Sequence, residues 1–97
     1  MPVYNPPLRD MQFVMHEVLH VTDEFKSMPQ HADTDVDTIN AVLEEAGKFA
    51  SQVIFPLNIS GDTEGCKLNR DTHEVTTPTG FKEAYKTYVD GGWAALS

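Results

Sequence analysis

At 97 residues the chain is long enough for one small domain at most, and a chain of that size buries only about 60 to 65% of the surface its unfolded form exposes. Forty per cent of the residues are apolar and 23% charged, which excludes wholesale disorder, while fifteen carboxylates against seven Lys and Arg give a net charge of -8 that repels nucleic acid and anionic lipid. The lone Cys66 excludes an intrachain disulfide, and with no cationic-then-apolar leader and no run near the ~18 apolar residues of a membrane span, the expected location is cytoplasmic.

Pro6 and Pro7 suit a helix start, and Leu8, Met11, Met15, Val18 and Leu19 then recur at spacings of three and four. They predict a first amphipathic helix over 8–22, with Asp23 and Glu24 at its frayed end and a loop over 26–33 around Pro29. The strongest periodicity follows, through Val36, Ile39, Leu43, Ala46, Ala50, Val53 and Leu57. It predicts a long second helix over 35–56, capped by Thr34 or Asp35 and braced by an i, i+4 pair of Glu44 with Lys48. Pro56 ends or kinks that helix, because its ring meets the carbonyl of Gln52.

From Asn58 to Thr79 the periodicity stops, and Gly61, Gly65, Asn69 and Pro78 mark a loop in which Lys67-Leu68 and Val75-Thr76 can pair as a short hairpin. Thr79 is placed to cap a third helix over 79–90 carrying Phe81, Ala84, Tyr85, Tyr88 and Val89 on one face, until Gly91-Gly92 stops it. The expected fold is all-α, with three helices sharing one core. The apolar end from Trp93 to Leu96 suggests a truncated parent.

Two sequence words invite metal readings. His16-Glu17-Val18-Leu19-His20 spells H-E-x-x-H, which on a helix sets two imidazoles one turn apart beside a glutamate, as zinc proteases require. The extended metzincin form fails, since Asp23 and Lys26 stand where Gly and His belong. A third ligand from Glu44 or Glu45 would have to come from the face opposite the core stripe. The preferred reading is structural, with Val18 and Leu19 buried and His16 and His20 at the boundary. Asp33, Asp35, Asp37 and Glu44 match positions 1, 3, 5 and 12 of a calcium loop, but Thr38 replaces the glycine the loop's turn needs. An acidic cluster favouring a helix N-terminus explains them better.

No phosphate-binding glycine pattern or nucleophile elbow is present, and Cys66 has no activating partner nearby in sequence, so it reads as an inert thiol. The aromatic set Phe81, Tyr85, Tyr88 and Trp93 reads as core packing rather than a ligand wall. No catalytic, cofactor-binding or metal-ligating residue is assigned to these positions.

The words at 4–10 (YNPPLRD), 17–19 (EVL), 43–50 (LEEAGKFA), 56–58 (PLN), 61–66 (GDTEGC), 76–85 (TTPTGFKEAY) and 91–93 (GGW) form an ordered set. As a set they resemble the N-terminus of long bacterial FAD-dependent acyl-CoA dehydrogenases, in the branch similar to the 3-methylmercaptopropionyl-CoA dehydrogenases. The resemblance implies that residues 1–97 are the N-terminal helical region of a parent enzyme. That parent would oxidise an acyl-CoA to its trans-2-enoyl form, a glutamate taking the alpha proton and hydride passing to FAD, with an electron-transfer flavoprotein as acceptor. It also implies that the flavin-binding and catalytic domains follow these residues, so no catalytic or flavin-contacting residue carries over. The other readings are a stand-alone helical interaction module and a zinc metallohydrolase. The long stripe, about 30 Å as a helix against about 22 and 18 Å for its neighbours, further predicts homo-oligomerisation of the isolated piece.

Overall fold

The computed structural model describes residues 3–95, which are mainly helical with one two-stranded hairpin. The chain divides into two compact units, Met1–Ser51 and Gln52–Ser97. Each has its own small core, in place of the single core expected from three helices.

In the first unit, α1 (Leu8–Gln12) starts on the two prolines, with the Leu8 N–H donating to the Pro6 carbonyl at 2.8 Å and Met11 to Pro7 at 3.0 Å. It runs straight into a π-helical turn, Phe13–Val18, closed by the Leu19 N–H on the Val14 carbonyl at 2.9 Å. The chain then bends at Leu19, and His20 takes a left-handed conformation (φ 50°, ψ 51°) before α2 (Val21–Lys26) begins. The single helix predicted over 8–22 is therefore broken, and helix continues into the predicted loop. The acidic residues expected at a frayed end, Asp23 and Glu24, instead occupy the first turn of α2, where the helix dipole favours them.

The helix α3 (Val36–Phe49) opens as expected on Asp35, whose extended backbone lets its carboxylate accept the Thr38 N–H at 2.8 Å. Its Gly47 faces α1 so closely that an added Cβ would stand 3.3 Å from Pro6 Cγ and 3.4 Å from Leu8 Cδ2. Ile39, only 7% exposed, anchors the stripe, but Val36 at its start is exposed. Lys48 pairs with Glu45 at 3.1 Å rather than with Glu44 as predicted, a contact one turn away at i, i+3. Helix persists to Ile54, with residues Ala50–Ile54 widened into a second π turn ahead of Pro56. That widening lies where an ordinary α-turn would drive the proline ring into the Gln52 carbonyl.

The second unit begins with α4 (Leu57–Glu64), a helix where the sequence predicted loop. Gly61 prompted that reading, yet it lies mid-helix because the Phe81 ring occupies the space a side chain would need. An ideal Cβ there falls 2.8 Å from Phe81 Cζ. The predicted hairpin is present, β1 (Lys67–Leu68) antiparallel to β2 (Val75–Thr76) with Lys67 opposite Thr76 and Leu68 opposite Val75. The Asn69 side chain builds its turn, accepting the N–H groups of Asp71 at 3.0 Å and Thr72 at 3.3 Å. α5 (Phe81–Asp90) starts two residues later than predicted, on Gly80 at φ 93°. Thr79 does not cap it because its N–H and hydroxyl both donate to the Glu64 carboxylate, at 2.8 and 2.9 Å. A short 3-10 turn, Trp93–Ala95, follows; Leu96, part of the apolar end read from sequence, lies outside the described residues.

The accessible surface is 7777 Å2. An unfolded chain of 10.8 kDa exposes about 15,700 Å2, so folding hides about half rather than the expected 60 to 65%. Large apolar side chains remain uncovered in both units.

Candidate functional site

The H-E-x-x-H segment does not form the helical geometry its chemistry needs. His16 sits in the π turn while His20 lies beyond the bend in a left-handed conformation, so they are not stacked on successive turns of one helix. His16 Nε2 is instead 2.7 Å from the Asn40 side-chain oxygen on α3, and its Nδ1 is buried without a hydrogen-bond partner. The expected burial of Val18 and Leu19 is not found, since they are 54% and 57% exposed, while His16 lies half-buried at the boundary as expected and His20 is exposed. A π turn holds one residue more than an α-turn, and at about 100° per residue that extra residue rotates the following side chains off the core face.

The acidic residues of the calcium-like pattern separate by role. Asp35 caps α3, and the Thr38 backbone N–H, reinforced by the Thr38 side chain, holds its carboxyl below the ordinary value. Asp37 lies in the first helical turn. Among the described residues no group of three or more His, Cys, Asp or Glu is placed to hold a metal ion. Glu64 is likewise held below its ordinary value, chiefly by the Thr79 backbone N–H and then by the Thr79 side chain. It ties the two ends of the hairpin segment together. Cys66 is exposed beside β1.

The aromatic set on α5 is not core as predicted. Ala84 is the buried residue of that helix, Tyr85 is 68% exposed, and the Tyr85 and Tyr88 rings stack at 6.3 Å between centroids. Phe81 rests its ring over Gly61 yet stays about as exposed as Tyr88, and Trp93 beyond the helix is half-buried.

What remains as a candidate site in the first unit is an open apolar groove of about 380 Å3, lined by Asp10, Met11, Val14, Met15 and Leu43. The α1 to π-turn segment supplies four of its five residues and α3 the fifth. This unit holds nine carboxylates against three Lys and Arg, a net of -6 out of the chain's -8. Lys26 pairs with Asp23 and Lys48 with Glu45, while among the described residues no hydrogen bond or ion pair engages the Asp10 carboxylate. The groove brings no cationic side chain to a flavin dinucleotide, whose pyrophosphate needs N–H donors or cations. No helix among the described residues is long and apolar enough to cross a membrane.

No family model matches the chain. It is 37% identical over 94 residues to the 3-methylmercaptopropionyl-CoA dehydrogenase of Ruegeria pomeroyi, covering 97% of this chain and 16% of that protein. It is 30% identical over 90 residues to a broad-specificity linear acyl-CoA dehydrogenase of Mycobacterium tuberculosis, 93% of this chain and 15% of the relative. With the butyryl-CoA dehydrogenase of Syntrophomonas wolfei it shares 34% identity over 87 residues, 88% of this chain and 14% of the relative. The chain thus spans about a sixth of the length of the curated relatives it matches.

Proposed function

We infer that this chain is the N-terminal helical segment of an acyl-CoA dehydrogenase, the family whose members it resembles along nearly its whole length. The observation that carries the reading is this pairing of coverages, 97% of this chain with 16% of its relative. In this reading the whole enzyme oxidises an acyl-CoA to a trans-2-enoyl-CoA with FAD, passes electrons to an electron-transfer flavoprotein, and works in the cytoplasm. In this reading no residue of the segment holds the flavin and its part is structural: it covers and is covered by the remainder of the enzyme.

The exposed surface supports that role. Two separate compact pieces of half this mass would expose about 6,700 Å2 together, so 7777 Å2 leaves a surplus of about 1,100 Å2 without any assumption about how the units sit. One partner in a standard interface buries about 800 Å2, so the surplus is of interface size.

The test is to purify the product of the native gene and measure its intact mass, its flavin absorbance and its acyl-CoA dependent reduction of an electron-accepting dye. A protein several times heavier than 10.8 kDa that is yellow and active is expected, and the 97-residue chain alone is expected to be colourless and inactive. A native product ending at Ser97, or flavin retained by the isolated chain, would overturn the reading.

A further inference from the structure

We draw no further inference here: the strongest candidate, the exposed face that Tyr85, Tyr88 and Val89 form along α5 in the second unit, is an open helix face, and nothing in the structure shows what covers it.

Discussion

Replacing Gly61 with Ala sets two known effects against each other at one atom. Gly61 lies mid-way along α4, where Ala is normally better by about 0.5 to 1 kcal/mol because the unfolded glycine has more freedom to lose. Its Cβ, however, would land 2.8 Å from Phe81 Cζ, closer than carbon atoms approach, and a tight 3.3 Å from Phe81 Cε1. The ring must move off its seat, and forced repacking of that kind costs about 1 to 3 kcal/mol. The clash wins, with a net loss on the order of 1 kcal/mol, which at a slope of about 1 kcal/mol per molar lowers the urea midpoint by about 1 M. The same substitution made in a Phe81→Leu background meets no ring, so only the helix term remains and it stabilises by about 0.5 to 1 kcal/mol. The assay is equilibrium urea unfolding of the four proteins of that cycle, and the coupling between the sites is expected near 2 kcal/mol. Equal effects of Gly61→Ala in the two backgrounds would refute the seat of Phe81 on Gly61, and with it the account of why helix forms where the sequence reads as loop.

Asn40→Leu removes the hydrogen bond at His16 Nε2 and leaves both ring nitrogens without a partner among the described residues, so urea unfolding is expected to show a loss of about 1 to 2 kcal/mol, most of which the double variant with His16→Leu recovers. Asp35 and Glu64 both have folded values below their unfolded ones, so their stabilisation is present above the ordinary carboxylate range and is lost as pH falls through the depressed folded values. Circular dichroism followed from pH 6 downward is expected to show helix loss beginning below about pH 4, with Asp35→Asn and Glu64→Gln together flattening that acid limb and an unchanged limb refuting the two contacts. The isolated 97-residue chain, lacking what covers its apolar faces, is expected to associate at micromolar concentration by light scattering, more so as salt screens its charge of -8 and less after Leu43→Asp; a monomer at every salt concentration would remove this expectation.

Much of the secondary structure was legible because it rests on local signals. The Asp35 cap, the long stripe through Ile39 and Leu43, and the pairing of Lys67-Leu68 with Val75-Thr76 all depend on residues a few positions apart. The misses depend on partners distant in sequence. Gly61 reads as a breaker until Phe81, twenty positions on, fills its missing side chain, and Thr79 reads as a cap until Glu64 takes both its donors. The π turn at Phe13–Val18 leaves no compositional trace, so the helical wheel drawn through it misplaces Val18, Leu19 and His20. The groove followed from that same turn, and a periodicity argument that assumes 3.6 residues per turn had no means to find it. Conversely, the outward aromatics of α5 had the same spacing that a core would have, since periodicity reports which residues share a face and not what covers the face.

The tie from Glu64 to Thr79 has a consequence for anyone wishing to label or interrupt this protein. Between those two residues the chain leaves and returns to nearly one point, with the Ser60 hydroxyl also donating to the Thr79 carbonyl at 3.2 Å. The intervening stretch is a cassette whose ends are clamped independently of its contents. Closure entropy grows only by about 0.6 kcal/mol for each doubling of loop length. The exposed tip between Asn69 and Glu74 is therefore a place where an epitope, a fluorophore-binding peptide or a protease site can be spliced in while α4 and α5 keep their seats.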